Sequence, residues 1–243
     1  MSELRPRAAA TAAAVLGLIA MAAVPAGAAE LKPFTANYNI IWGGISAGTA
    51  TLTLKHEADG RWSYQSVTTA RGFFRLAMPA ELRSRSVFTV QDGKVVPELF
   101  VAEDGTSNTS RDQELRFDWA GGRVTGMFEK SPVNLPLQPG LLDSLSVQVA
   151  LMHELLAGRT PARFVLVDKG KIKDYNYTAE GEDTLRTPLG EHRTVVFRSA
   201  RPGSATGTWF WCAPEMNFLP LKVERREGKN VQWALRLQSA TIQ

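Results

Sequence analysis

The sequence predicts an all-β, mainly antiparallel fold, a curved sheet of about a dozen strands forming a barrel or half-barrel with one principal α-helix packed on it. Three observations carry that expectation. From Phe34 onward apolar side chains mostly alternate with polar ones, as in Phe34, Ala36, Tyr38, Ile40 and Trp42, which is the period of a strand with one face on a core. Tight-turn pairs, Asp59-Gly60, Asp92-Gly93, Asp104-Gly105 and Gly121-Gly122, break the alternation at strand-length intervals. One segment alone changes period: over residues 141–157, Leu142, Leu145, Val149, Met152 and Leu156 recur at spacings of 3, 4, 3 and 4, drawing an apolar stripe along a helix.

Taken in order, Phe34 to Trp42 is the first strand. Ala50, Leu52 and Leu54 alternate with Thr49, Thr51 and Thr53 in the second, and Trp62 and Tyr64 open the third. Further strands are expected over residues 82–90, 94–101, 113–119 and 124–128. Pro132, Pro136 and Pro139 then punctuate a connection to the helix. Asp143 or Ser144 can cap the start of that helix and Gly158 suits the position just past its end. Strands resume over 163–167, 171–178, 194–199, 208–212, 219–226 and 231–241. No linker and no domain-scale charge shift interrupts the run, so residues 29–243 read as a single domain. A sheet of this length must close or curl, because its edges would otherwise template pairing with other chains. The helix and the aromatic side chains (6 Trp, 4 Tyr, 11 Phe) are available to fill the concave side. Whether they fill it completely decides between a dry core and a ligand cavity.

Residues 1–28 read as a secretory signal peptide. Arg5 and Arg7 supply a positive start, residues 8–24 are apolar or small, and Ala26-Gly27-Ala28 gives the small-x-small cleavage pattern. The expected destination is a bacterial periplasm, with no integral membrane span after cleavage, since no later apolar run approaches ~18 residues. The chain is 44% apolar and 21% charged, so it can bury a core. Its net charge of +4 is the balance of 28 Lys and Arg against 24 Asp and Glu with no long basic run, which argues against nucleic acid as a partner. The single cysteine precludes an internal disulfide framework.

The chemical motifs fail one by one. Gly44-Ile45-Ser46-Ala47-Gly48 matches a nucleophile elbow in letters. That elbow needs a strand-to-helix turn, whereas the residues that follow alternate as a strand, and Gly43, Gly44 and Gly48 suit a hairpin. His153-Glu154 begins a helical zinc motif, but position 157, where the second histidine belongs, is alanine. Cys212, within Trp209-Phe210-Trp211-Cys212-Ala213-Pro214, lies in an aromatic strand and reads as a small core side chain. No phosphate-binding glycine pattern is present. No catalytic residue, metal ligand or cofactor is expected. Asn108-Thr109-Ser110 is a formal glycosylation sequon, relevant only to a eukaryotic secretory route.

With the strands placed, the chain over roughly residues 33–240 resembles a family of uncharacterised Gram-negative periplasmic proteins known by a domain-of-unknown-function label. The residues that carry the resemblance are Tyr38, Trp42-Gly43-Gly44-Ile45 and Ala47-Gly48, then Asp143-Ser144-Leu145-Ser146 and Thr187-Pro188-Leu189-Gly190. The aromatic block Trp209-Phe210, Ala213-Pro214 and Phe218-Leu219-Pro220-Leu221 completes the set. Cys212 departs from the pattern, where a bland residue is expected. The family transfers no catalytic residues. By architecture it is similar to the outer-membrane lipoprotein carriers, whose curved antiparallel sheet wraps helices around an apolar cavity.

The leading functional expectation is a non-enzymatic periplasmic protein that binds an apolar or amphipathic envelope component, such as a lipid or a lipoprotein, in its concave face. Trp42, Phe73, Phe74, Leu145 and Met152 are the candidate cavity residues, with Arg83 and Arg85 contacting a headgroup at the mouth. The alternative is a structural or scaffolding partner of another envelope protein. A hydrolase acting on an envelope polymer is the third reading, and no carboxylate pair or Ser/His set supports it.

Overall fold

The computed structural model describes residues 30–106 and 112–243. The leader at 1–28 and the Asn108-Thr109-Ser110 sequon lie outside the described residues.

The strands are β1 (Phe34–Trp42), β2 (Ile45–His56), β3 (Trp62–Ala70), β4 (Leu82–Gln91), β5 (Lys94–Glu103), β6 (Gln113–Asp118), β7 (Arg123–Phe128), β8 (Ser131–Pro136) and β9 (Leu141–Asp143). After the helix α1 (Ser146–Leu156) come β10 (Arg163–Asp168), β11 (Lys171–Thr187), β12 (Gly190–Ala200), β13 (Thr206–Ala213), β14 (Leu219–Glu227) and β15 (Asn230–Ile242). All belong to one 15-stranded sheet in the order β8-β7-β6-β5-β4-β3-β2-β1-β15-β14-β13-β12-β11-β10-β9. Hairpin neighbours therefore stay adjacent throughout. β1 and β15 pair with each other in the middle, Phe34 opposite Ile242 and Trp42 opposite Trp233. The pairing is antiparallel except at β9, which runs parallel to β10.

The sheet is curved but not closed by hydrogen bonds, leaving β8 and β9 as its edges. Register shifts at Asn37/Tyr38, Val87/Phe88 and Ala179/Gly181 interrupt the ladders, and such bulges bend the strands that carry them. Side chains finish the closure. Phe100, Leu115, Phe117, Val124 and Val133 from β5–β8 form one apolar cluster with Leu141 of β9 and Val167 of β10. Ser86 Oγ on β4 reaches across to donate to Asp143 Oδ2 on β9 at 2.6 Å, both residues being fully buried.

The helix lies inside the curve. Val149 and Met152 are 0% exposed and Leu151 is 1% exposed, and they share a core with Phe34, Leu54, Phe88, Phe197, Cys212 and Leu219 from the surrounding strands. Burial on more than one side explains why Val147, Ala150 and Leu151 are apolar in addition to the expected stripe. The helix also begins later than its spacing predicts. Leu141–Asp143 pairs with Val165, Leu166 and Val167 as a parallel strand, too short for any periodicity to reveal. Asp143 then turns the chain: its Oδ1 accepts the N–H groups of Leu145 (2.8 Å) and Ser146 (2.7 Å), while its own N–H donates to Ser146 Oγ (3.1 Å). This reciprocal arrangement satisfies donors a helix start leaves orphaned. At the other end Gly158 has φ +69, and the bonds Gly158 N–H to Leu155 O and Arg159 N–H to Glu154 O make a Schellman motif.

The proline-punctuated segment expected to be a connection contains β8. Pro132 and Pro136 are tolerated because β8 pairs only with β7, and an edge strand does not need every N–H.

Candidate ligand-binding site

The pleat of the sheet sends alternate side chains inward, and around the first turns of α1 they do not fill the space. A cavity of about 340 Å³ remains there, with Leu52, Leu166, Phe210, Val223 and Leu235 of the sheet and Leu145 and Val147 of the helix among its walls. The chain has 4 tyrosines, and Tyr38, Tyr64, Tyr175 and Tyr177 all line this cavity. Tyr175 and Tyr177, two apart on β11, face the same way for the reason that strand side chains alternate.

Two of these phenols are hydrogen-bonded to the protein. Tyr38 donates to the Pro220 carbonyl at 2.9 Å. Tyr175 donates at 2.7 Å to Asp168 Oδ2, which also accepts from Lys173 Nζ at 2.8 Å, and Tyr177 stands opposite Ser199 on β12. Tyr64 is 1% exposed, and its hydroxyl has no partner among the described residues. Burial pushes the phenols of Tyr38, Tyr64 and Tyr177 well up, and burial followed by the Asp168 carboxylate pushes Tyr175 up to about 12. All four are therefore neutral hydrogen-bonding groups at ordinary pH. Partial burial pushes the Asp168 carboxyl upward, but the hydrogen bonds from Lys173 and Tyr175 outweigh it and hold the group below the usual carboxylate range. Gln148, on α1, lines the same space, and its Nε2 is buried without a partner among the described residues.

The cavity opens at the end of the sheet where the helix begins. Ser144 there is exposed, and Asp168, Tyr175, Thr208 and Trp233 are half-buried. A larger space of about 440 Å³ at the far end of the helix mixes the charged Lys94, Glu154 and Arg163 and His153 with the apolar Val95, Leu142 and Phe164.

Among the residues singled out from sequence, Leu145 is in the cavity wall. Met152 is fully buried about two helical turns deeper, packed against the sheet. Trp42, 56% exposed, sits on the rim as the Cα partner of the cavity residue Trp233. Phe73, 79% exposed, and the half-buried Phe74 belong to a 3-10 turn, Gly72–Leu76, that follows β3 at this same end. Arg83 and Arg85 are on the outer face of β4, because the inward positions there are Ser86 and Phe88; they pair with Glu81 and Glu57. Tyr64, Gln148, Tyr175 and Tyr177 were not singled out. The alternation of Tyr175 with Tyr177 was the available signal, and only the curl of the sheet brings them to Tyr38 and Tyr64.

The motifs set aside from sequence are structurally ordinary. Ser46 is an exposed residue of β2 opposite Ile41, and its hydroxyl makes no hydrogen bond among the described residues. His192 Nδ1 is 2.7 Å from Glu215 Oε1, and His56 meets Trp62 with ring centroids 4.7 Å apart at a tilt of 48°. Cys212 is 0% exposed, with its thiol pushed far up by burial. No group of three or more His, Cys, Asp or Glu among the described residues is placed to hold a metal, and none of the described helices is long and apolar enough to cross a membrane.

Among solved structures, a β-barrel-like protein of the domain of unknown function DUF1849 from Brucella abortus superposes with a TM-score of 0.60 at 13% identity, covering 88% of this chain and 99% of that one. At that identity the likeness is one of fold. The MucA/MucB complex of Pseudomonas aeruginosa matches more distantly, with a TM-score of 0.41 at 13% identity over 88% of this chain and 53% of that one. No curated protein matches the chain in sequence. A family model does match, over residues 37–231, a span that runs from β1 to the start of β15 and encloses the helix and β2 to β14. The chain belongs to the DUF3108 family of proteins of unknown function.

Proposed function

We propose that this protein binds an apolar or amphipathic component of the cell envelope in the cavity between α1 and the sheet, without doing chemistry on it. The observation that carries the reading is the cavity itself: about 340 Å³, open at one end, walled by Leu52, Leu166, Phe210, Val223 and Leu235, with four neutral phenols turned into it. Ligand sites are concave and mostly apolar, with a few placed polar groups, and start near 300 Å³. The volume suits one small amphipathic molecule or the end of one acyl chain. Export through a leader at residues 1–28 and a periplasmic destination belong to the same proposal, and intact mass of protein recovered from its native host tests them by the position of the N-terminus.

Titration with N-phenyl-1-naphthylamine, an apolar fluorophore that brightens in dry pockets, tests the binding site. Fluorescence enhancement saturating at one site per chain is expected, with affinity reduced about tenfold or more, some 1.4 kcal/mol, in Val223→Trp, which fills the space. No enhancement with the wild-type protein overturns the reading.

A second reading, a docking partner for another envelope protein, is favoured by a separate observation. Trp42, Ile45, Phe73 and Leu76 are 56%, 64%, 79% and 81% exposed, and all stand at the mouth end of the sheet. A photo-crosslinker at Phe73 should give one reproducible adduct in cells if that reading holds, and a diffuse smear if it does not.

A further inference from the structure

Two polar groups in the cavity have nothing to bond to. Tyr64 is 1% exposed, yet its hydroxyl has no partner among the described residues, whereas Tyr38 and Tyr175 donate to the Pro220 carbonyl and to Asp168. Gln148 Nε2 is buried and equally unpartnered. An amide nitrogen of this kind only donates, and a phenol satisfied by no protein acceptor retains its proton to give. Buried donors left unpaired are costly, so native proteins rarely keep them without a function. Here both residues line one open cavity with apolar walls.

The charge of the wall narrows what they meet. Among the described residues, Asp168 is the one charged side chain lining the cavity; Lys173 is bonded to Asp168 and Arg225 donates to Thr208 Oγ1 at 3.0 Å, and neither cation lines the wall. A carboxylate or phosphate drawn in beside Gln148 and Tyr64 would face that negative charge with no lysine or arginine in the wall to offset it. A bare hydrocarbon would leave both donors unsatisfied. A neutral carbonyl at the head of an acyl chain meets every condition: its oxygen accepts from the amide and the phenol, and its chain lies along Leu52, Leu166, Val223 and Leu235.

Resting on the binding function proposed above, we infer that the ligand is an acyl ester or acyl amide whose carbonyl oxygen is held by Gln148 Nε2 and Tyr64 OH. Esters occur in glycerolipids and amides in N-acylated protein termini, and the cavity chemistry they share is the neutral carbonyl.

The experiment displaces bound N-phenyl-1-naphthylamine with four ten-carbon probes: methyl decanoate, N-methyldecanamide, decanoate and decane. One or both of the carbonyl probes should displace it at concentrations about tenfold lower than decane or decanoate, the discrimination expected of a site with unpaired donors. Whichever of the two is stronger identifies the source. Gln148→Leu and Tyr64→Phe should each remove most of that preference, the carbonyl probes falling to the level of decane, with an unchanged circular dichroism spectrum and a cooperative melt showing that the variants are folded. Equal displacement by all four probes, or a preference for decanoate, overturns the carbonyl assignment while the binding reading stands. A wild-type protein that takes up no fluorophore removes both.

Discussion

Asp143 does three things with one carboxylate. It ends β9, starts α1 by accepting the N–H groups of Leu145 and Ser146, and accepts the Ser86 hydroxyl from β4. Losing a helix cap costs about 1 kcal/mol, and leaving buried donors unpaired adds about 1–3 kcal/mol. Asp143→Ala should therefore lower stability by about 2–4 kcal/mol in chemical denaturation, and Asp143→Asn, which keeps an acceptor oxygen for the backbone, by less. Burial raises this carboxyl above its ordinary range, although the Ser86, Ser146 and Leu145 hydrogen bonds act the other way. A carboxyl raised in the fold favours the native state while it is protonated. That contribution is complete below the unfolded value of about 4 and is lost as pH climbs from there through the raised native value. The wild-type protein should thus lose stability relative to Asp143→Asn as pH rises above about 4, read as the difference between their melting temperatures. Gly48 makes a second residue-scale test. A Cβ there would lie 2.3 Å from the Thr69 carbonyl oxygen on β3, so Gly48→Ala should cost about 1–3 kcal/mol, or about 2–4 °C in Tm for each kcal/mol. The glycine of the apparent nucleophile elbow is there for strand packing.

Among the elements, α1 and β8 show opposite solutions. The helix survives because it is enclosed. Its apolar side chains face the sheet on more than one side, and both ends are capped by their own chain. Met152→Ala, at a fully buried position, should cost about 2–5 kcal/mol, measured by denaturant midpoint at unchanged slope. β8 has an unpaired side and carries Pro132 and Pro136, which leave gaps in its row of donors. Edges of this kind are prone to pair with other chains. Pro132→Val should keep the fold and raise self-association, which sedimentation velocity would detect as concentration-dependent dimer.

At the scale of the whole molecule, the sheet closes through side chains. The cluster of Phe100, Leu115, Phe117, Val124 and Val133 against Leu141 and Val167 holds the two ends together without a strand ladder between them. The Ser86–Asp143 bond adds a polar stitch beside it. This arrangement leaves the space around the first turns of the helix unfilled, and the cavity is the result. Occupation of that cavity by a ligand that does not bind the unfolded chain would stabilise the protein by mass action. Saturation with methyl decanoate should therefore raise Tm of the wild type and leave Val223→Trp unmoved.

Much of this was legible in the residues. The strict alternation of Phe34, Ala36, Tyr38 and Ile40, the Asp-Gly turns and the 3-4 spacing of Leu145, Val149 and Met152 determine strands, hairpins and a helix, because each depends on chain neighbours and local backbone geometry. Leu141–Asp143 and Ser131–Pro136 were not readable as strands. Three residues have no period, and prolines mark an edge only once the sheet order is known. The cavity was beyond local reading for the same reason. Tyr38, Tyr64, Tyr175, Tyr177 and Gln148 are far apart in sequence, and their meeting is decided by how far the sheet curls around the helix, a property of volumes summed over the whole molecule.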